Sequence, residues 1–268
     1  MYEKHAFLIL THKEINHIYS WAHAFPNAHF YIHMDLKSQI DLKQAEQYEN
    51  IHIVPERIDI KWAGYSMIEA ELSLIAFALQ HDQNEFFHLI SGDDILLNEP
   101  HDWPTDTIFM ECVPSKKHRY RMRFNTPHAN TTKQRSIVGK LFTLSYKILD
   151  KILPTSKEFY FGSQWFSIRK QELILLFNSI EESDLQLFKR KLCPDEHFFQ
   201  YLVLKNNLLS QISPQGNKRY IVFNSTYQHG SSPVWLNTNQ LQEAINTGDW
   251  FARKVHPELI SEFKTTSR

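Results

Sequence analysis

Two acidic residues directly after a proline are the first candidates for chemistry in this sequence. Pro194 suits the first turn of a helix, because its missing N–H is not needed there. Asp195 and Glu196 would then lie at a helix N-terminus, where the macrodipole and free backbone N–H groups favour an ionised carboxylate. Such a carboxylate can accept a proton from a substrate hydroxyl. Acidic residues also serve as plain capping choices in a first turn, so the segment by itself leaves both interpretations open.

Short apolar runs alternate with helical patterns along the first half of the chain. Residues 6–10, 29–35 and 86–90 have the composition of buried strands. This order predicts an α/β fold with a mixed, mainly parallel central sheet flanked by helices. Gly162, inside another apolar run, indicates a place where the backbone approaches a neighbour closely. Further strands are predicted at 51–54, 108–111, 159–168 and 220–223, helices at 14–24, 66–79 and 170–177, and either a helix or a flap at 136–153.

Polar residues stand where several of these strands end. Thr11 and His12 follow the first strand, and Asp35 ends the second. Ligands of open α/β sheets bind outside the carboxyl ends of the strands, so these side chains are candidates for nucleotide contacts. Aspartate is also an ordinary turn residue, which is the alternative for Asp35. Asp93 and Asp94 follow a later strand and could ligate a divalent cation, although two carboxylates without a third ligand equally suit a turn.

The segment 116–124 packs five basic residues into nine positions, with aromatic residues between them. Basic and aromatic interleaving is one pattern of single-stranded nucleic-acid binding. It also suits a groove for a sugar acceptor, since sugars stack on aromatic faces and hydrogen-bond to charged side chains. A solvated edge strand is the third interpretation of the same pattern.

Composition narrows the classes of function. The chain has 268 residues, a formal net charge of -1 and a pI near 7.0, so no overall field attracts nucleic acid or an anionic membrane. Any basic site must therefore be local. Cys112 and Cys193 lie far apart without CxxC spacing, which predicts neither a disulfide framework nor a zinc knuckle. The apolar run 6–10 is too short for a signal peptide or a membrane span, so we expect a cytoplasmic protein.

Seven segments, taken in order, resemble the core-2/I-branching β-1,6-N-acetylglucosaminyltransferase family, which also includes the peptide O-xylosyltransferases. They are residues 6–12, 31–38, 61–71, 89–94, 162–166, 194–196 and 250–254. The resemblance implies a GT-A-like, Rossmann-type nucleotide-sugar fold. We expect a single domain over residues 1–268, with a nucleotide-binding half at 1–110 and an acceptor-binding and catalytic half at 111–268. The resemblance also implies an inverting mechanism and, unusually for this fold, no metal ion.

Donor-side roles carry over from the resemblance position by position. Glu196 matches the family's catalytic base, Asp35 a nucleotide contact, and Asp94 a family aspartate that we expect among the nucleotide-sugar contacts. Lys254 matches a basic residue that neutralises the donor pyrophosphate, and Arg253 precedes it. The second basic residue of the animal members would stand about 23 positions earlier, where this sequence has Ser231. Another cation must substitute there, or the pair Asp93 and Asp94 must recruit a divalent cation instead.

Acceptor-side roles carry over more loosely, because the spacing around the basic strip differs. The candidates for acceptor and active-site contacts are Glu111, Lys117, Arg119, Arg121 and Trp165. Arg121 is the alternative to Arg119 at the position where the family places a basic residue.

Together these residues predict an inverting glycosyltransferase with Glu196 as general base. The expected donor is UDP-N-acetylglucosamine, and the expected acceptor is a hydroxyl of a surface glycan such as lipopolysaccharide or capsule. A related transferase using UDP-xylose, UDP-glucose or UDP-galactose stays open, as does a non-catalytic glycan-binding subunit of the same fold. Nucleic acid is not an expected partner, and no transmembrane segment is expected. A peripheral contact with the inner face of the cytoplasmic membrane is compatible with this placement.

Overall fold

A mixed α/β arrangement is seen in the computed structural model, which describes residues 2–100, 103–223, 232–256 and 258–259. The strands of the described residues are, in chain order, β1 His5–Thr11, β2 His29–Met34, β3 Ile51–Ile53, β4 Phe86–Ser91, β5 Asp94–Leu96, β6 Val113–Pro114, β7 Tyr160–Phe161, β8 Ser167–Arg169, β9 Arg219–Ile221 and β10 Phe251–Arg253. The α-helices are α1 Asn16–Ala24, α2 Tyr65–Ala78, α3 Tyr120–Arg123, α4 Ile137–Ile152, α5 Lys170–Asn178, α6 Glu182–Phe188, α7 Phe198–Lys205 and α8 Thr238–Asn246. Short 3-10 turns lie at Lys43–Gln47, Thr132–Arg135, Pro194–Glu196 and Leu209–Gln211.

The central sheet has five strands in the order β3-β2-β1-β4-β8. The first four are mutually parallel, and in this register Leu8 lies opposite Tyr31 on one side and Leu89 on the other. Strand β8 closes the edge in the antiparallel sense, pairing Ile168 with Phe87. The mixed, mainly parallel sheet predicted from the sequence is therefore confirmed.

Strand β1 shows why the sheet forms. All seven of its residues are buried, as expected for a parallel strand covered on both faces. Its side chains alternate, so that Phe7 and Ile9 enter one hydrophobic core while Leu8 and Leu10 enter the other. Helix α1 contributes its apolar face to the first core and helix α2 to the second. The sheet thus carries helices on both sides and is open for ligands only at its strand ends.

A smaller sheet joins the central one near the end of β4. Its order is β5-β10-β9, with Arg253 of β10 opposite Asp94 of β5. Arg219 of β9 is buried, and its Nη2 donates to the carbonyl oxygens of Phe166 at 2.6 Å and Leu89 at 3.1 Å. These bonds attach the small sheet to the central sheet and place the segment around residue 253 at the strand ends.

Two predicted strands differ from the structure. Residues 108–111 form only isolated bridges, between Ile108 and Ile212 and between Phe109 and Ser167. The run 159–168 divides into β7 and β8, with a loop between them. The loop forms because the Gly162 N–H donates to the carbonyl oxygen of Glu196 at 3.1 Å instead of continuing a ladder.

The basic strip 116–124 is a turn followed by the short helix α3, which excludes the edge-strand interpretation. Arg119 and Arg123 both reach the buried carboxylate of Asp150 on α4, at 2.8 and 3.1 Å. A buried carboxylate without a partner is costly, so these two contacts fold the strip against α4. Of the two alternatives for residues 136–153, a helix or a flap, the structure shows the helix α4, and the Ser136 side chain accepts a hydrogen bond from the Gly139 N–H as its cap.

Gly162 lies where the backbone leaves no room for a side chain. A Cβ at this position would overlap the carbonyl oxygen of Glu111 and come within 2.8 Å of Nε2 of Gln200. The close backbone approach predicted from the sequence is therefore confirmed.

The substitution Gly162→Ala should lower the free energy of unfolding by about 3 kcal/mol, because backbone atoms must move to admit the methyl group. Chemical denaturation of the full chain measures this change. Gly216→Ala is the control, since a Cβ there meets nothing within 4 Å and only the positive φ of 68° opposes it. We expect the control to cost about 1 kcal/mol or less. Equal losses in the two variants would contradict the close-packing argument.

Candidate functional site

A cleft of about 650 Å³ opens at the carboxyl ends of the parallel strands. Thr11 at the end of β1, Lys13 after it, Asp35 after β2 and Asp93 after β4 contribute to its lining. Residues from the second half of the chain complete the lining, and their polar and aromatic members include Glu111, Phe161, Ser163, Gln164, Trp165, Glu196, Arg253 and Lys254. His12 is also at the cleft and is exposed. Most candidates from the sequence are thus brought to one place.

Asp35 is held rigidly at the end of β2. Its N–H donates to the carbonyl oxygen of Thr11 at 2.9 Å, and its Oδ1 accepts from the N–H of Lys37 at 2.9 Å. The Lys37 Nζ lies 3.0 Å from the other carboxylate oxygen. The carboxylate therefore shapes the turn as well as lining the cleft. The two interpretations of Asp35 in the sequence are compatible with each other.

Asp93 lies between two lysines at the cleft. The Lys13 Nζ is 2.7 Å from its Oδ1, and the Lys254 Nζ is 3.8 Å from its Oδ2. Both ammonium groups also lie over the indole of Trp235, at 4.7 and 5.6 Å from the ring centroid. Burial, reinforced by the charge of neighbouring Arg253, lowers the pKa of Lys254. One carboxylate thus holds two cations close together at the cleft wall.

Asp94 lies behind the wall of the cleft, which corrects its expected position as a direct nucleotide contact. Its side chain is fully buried and accepts from the Ser91 N–H at 3.0 Å and from Arg253 Nη1 at 2.7 Å. The Arg253 guanidinium also lies 4.5 Å from the ring centroid of Trp165. Asp94 therefore acts through Arg253, and Arg253 is the group that reaches the cleft.

The fallback cation site at Asp93 and Asp94 has its carboxylates engaged by protein cations. Across the described ranges, no three histidine, cysteine or acidic side chains cluster as a metal site. With Lys13, Arg253 and Lys254 set against these two aspartates, this wall carries an excess of one positive charge. Such a surface favours an anionic ligand.

Glu196 lines the same cleft. It ends a separate 3-10 turn, Pro194–Glu196, which precedes α7, rather than lying inside the helix predicted from Pro194. The Arg121 guanidinium donates to Glu196 Oε2, and about a third of the Glu196 side chain is exposed. None of the residues described donates a hydrogen bond to Oε1. One carboxylate oxygen is thus held by the protein while the other is accessible from the cleft.

Two buried carboxyl groups lie behind Glu196. Burial, and then the charge of Glu196, raises the pKa of Asp195 to about 7. Burial, and then the charge of Asp195, raises the pKa of Glu71 on α2 well above its ordinary value. Glu71 was not among the residues predicted from the sequence, although its place three residues after Ile68 on the apolar face of a helix was a usable signal. Lys13 and Lys37 were missed as well, and both directly follow strand ends.

The acceptor-side candidates separate into two groups. Glu111 and Trp165 line the cleft, and Glu111 Oε2 accepts from the Ser163 N–H at 2.9 Å. Arg121 adjoins the cleft through its contact with Glu196.

Lys117 and Arg119 correct the predicted acceptor set. Lys117 is exposed and is not part of the cleft wall. Arg119 is turned away from the cleft toward Asp150, because that buried carboxylate needs a compensating charge. Arg121, the alternative considered from the sequence, is the arginine that reaches Glu196. Ser231, where a second pyrophosphate cation was expected, lies outside the described residues.

Comparison with known proteins identifies the family of this chain. The family model described as Core-2/I-Branching enzyme matches residues 5–250. A xylosyltransferase from Ciona intestinalis is 22% identical over 192 residues, which are 67% of this chain and 22% of that protein. The chain therefore spans about a fifth of the length of this curated relative. The match to the family model includes every residue of the cleft lining except Arg253 and Lys254. This match shows that the chain belongs to the Core-2/I-branching family of glycosyltransferases.

Proposed function

We propose that the protein is an inverting glycosyltransferase that moves a sugar from a UDP-sugar, with UDP-N-acetylglucosamine the first candidate, to a hydroxyl of a surface glycan. The observation that carries the proposal is one cleft lined both by a partly exposed carboxylate, Glu196, and by the cations Lys13, Arg253 and Lys254. The GT-A-like fold implied by the family places a nucleotide-sugar at the carboxyl ends of parallel strands, which is where this cleft lies.

Glu196 is the general base in this proposal. Its carboxylate takes the proton of the acceptor hydroxyl while that oxygen attacks the anomeric carbon and the bond from this carbon to the diphosphate breaks on the opposite face. One carboxylate suffices because no glycosyl-enzyme intermediate forms. Arg121 holds Oε2 and so orients Oε1 toward the acceptor. A base that is held in one orientation is more often in the geometry that proton transfer requires.

Cations stabilise the departing UDP in this proposal. Negative charge grows on the diphosphate as the bond breaks, and fixed positive groups stabilise it without reorganising. Lys254 has the role implied by the family, and Arg253 lies beside it. Lys13 supplies the second ammonium group, since it shares Asp93 and the Trp235 ring with Lys254. This arrangement supports transfer without a metal ion.

Burial of Asp195 limits the negative charge next to Glu196. A carboxyl with a pKa of about 7 is largely protonated below neutrality, so it does not place a second full negative charge next to the base. Asp195 is therefore a positioning residue behind Glu196 and not a second base.

UDP-xylose is the second candidate donor, because the relative that matches this chain is named a xylosyltransferase. Because the identity is low and only part of that protein is covered, UDP-N-acetylglucosamine, UDP-glucose and UDP-galactose also stay as candidate donors. A non-catalytic glycan-binding subunit would not require a partly exposed carboxylate and a cluster of cations in the same cleft.

The substitution Glu196→Gln should reduce sugar transfer by about 100-fold or more, because the amide cannot accept the acceptor proton. UDP binding measured by calorimetry should change little, since the side chain lies on the acceptor side. The transfer assay uses the four UDP-sugars in parallel. Glu158→Gln, on the exposed surface, is the matched control and should leave both measurements unchanged. Absence of UDP affinity in the wild-type protein would reject the enzyme proposal.

Removal of a cation should impair leaving-group departure. We expect Lys254→Gln to lower kcat by about 100-fold and Lys13→Gln by about tenfold, with Lys13→Arg restoring most of the loss. Lys43→Gln, which removes an exposed lysine far from the cleft lining, is the control. Activity should survive EDTA. Complete loss in EDTA with recovery in manganese would reject the cation mechanism and make Asp93 and Asp94 metal ligands.

The buried carboxyl of Asp195 should make stability depend on pH. Its pKa is about 7 in the folded protein and near 3.8 when unfolded, so the folded state binds more protons between these values. This contribution is fully present below about pH 4 and is lost as the pH rises through about 7. Asp195→Asn should therefore flatten the fall in unfolding free energy over this window, both directly and because it removes a charge that helps to raise the pKa of Glu71. The control Asp82→Asn changes an exposed carboxylate and should keep the wild-type slope.

A further inference from the structure

Helix α4 presents an unusually apolar face to solvent. Ile137 and Ile152, at its two ends, are 78% and 70% exposed, and Leu141, Leu144 and Ile148 between them are at least half exposed. Their spacing of four, three, four and four residues places all five on one stripe of the helix. A contiguous apolar surface of this kind marks an interaction site.

The opposite face of α4 is fixed to the protein. Asp150 accepts from Arg119 and Arg123, as described above, and Gly139 packs so closely that a Cβ would overlap the carbonyl oxygen of Lys133. The helix therefore cannot rotate to bury its apolar stripe. The exposed orientation is a fixed feature of the fold.

A row of lysines borders the apolar stripe. Lys140, Lys147 and Lys151 are spaced by seven and four residues, which places them together on one flank of the helix. The whole chain carries a formal charge of -1, so this row is a local concentration of positive charge. An apolar face beside a lysine row is the pattern of a helix that lies in a membrane interface, with its cations at anionic headgroups.

The dimensions of α4 favour lying on a membrane over crossing it. Its 16 residues extend about 24 Å, which is shorter than a hydrocarbon core of about 30 Å. Among the residues that the structure describes, no helix is both long and apolar enough to span a bilayer. A second copy of the chain packed antiparallel on this face would bring two lysine rows together, and their like charges would repel. An anionic membrane surface neutralises the lysine row instead.

We propose that α4 docks the protein on an anionic lipid membrane through its apolar stripe and its lysine row. The docking helix is coupled to the cleft, because the two arginines that hold Asp150 flank Arg121, which contacts Glu196. The acceptor side of the cleft is thereby tied to the membrane-facing helix. If the proposed transferase function holds, the acceptor hydroxyl belongs to a glycan carried on a lipid.

Co-sedimentation of the full chain with vesicles tests the docking. Wild-type protein should bind vesicles of phosphatidylcholine mixed with phosphatidylglycerol, and more weakly those of phosphatidylcholine alone, with added salt reducing the difference. The double variant Leu141→Gln with Ile148→Gln should reduce binding to both by about tenfold or more. Lys140→Gln with Lys151→Gln should remove only the preference for anionic lipid. The matched control is Ile174→Gln with Leu175→Gln on α5, whose side chains are 37% and 46% exposed.

Thermal unfolding and UDP binding of each variant check that the fold is retained. The proposal is overturned if the wild type binds no vesicles, or if the stripe variant binds as the wild type does. It is also overturned if light scattering shows a wild-type dimer that the stripe variant converts to a monomer, without vesicle binding by either. Vesicle binding without UDP affinity would keep the docking and reject the transferase proposal, so the two failures are distinguishable.

Discussion

The buried ion pair between Asp94 and Arg253 is the interaction on which the geometry of the cleft depends. Asp94 is fully buried at the end of the loop after β4, where an unpaired carboxylate would cost several kcal/mol. Arg253 satisfies it across strands β5 and β10 of the small sheet, and the Ser91 N–H at the end of β4 donates to the same carboxylate, which packs the small sheet against the central one. That packing sets Arg253 over Trp165 and leaves the next residue, Lys254, beside Asp93. One buried charge therefore decides where the cationic wall stands.

The same requirement for a compensating charge positions the arginine that contacts Glu196. Asp150 is buried on α4, and the two arginines that compensate it draw the basic strip into a turn and a short helix. Arg121, between them in sequence, is left to contact Glu196. The base, the cationic wall and the exposed stripe of α4 are thus connected through carboxylates that must find partners. In our proposals, this connection links the transfer reaction in the cleft to the membrane on which α4 docks.

Sequence patterns were sufficient where one residue and its neighbours in the chain decide the outcome. Continuous apolar runs predicted β1, β2 and β4, and the strand-end rule placed Thr11 and Asp35 at the cleft. Sequence patterns gave wrong predictions where a partner far away in the chain decides the position of a residue. Arg119 belongs to Asp150, Asp94 is withdrawn behind Arg253, and the run 159–168 is interrupted because Gly162 bonds to Glu196.

The sequence by itself determined the parallel sheet, the family and the identity of Glu196 as the candidate base, since these follow from periodicity and from short motifs in order. The tertiary structure decided which cations face the cleft, because that choice depends on how buried carboxylates are neutralised by residues far away in the chain. Lys13 and Lys254 are 241 positions apart and meet only at Asp93. The tertiary structure also decided that the apolar side chains of α4 point to solvent. A helical period shows that a helix has an apolar face, but only packing shows whether that face is covered.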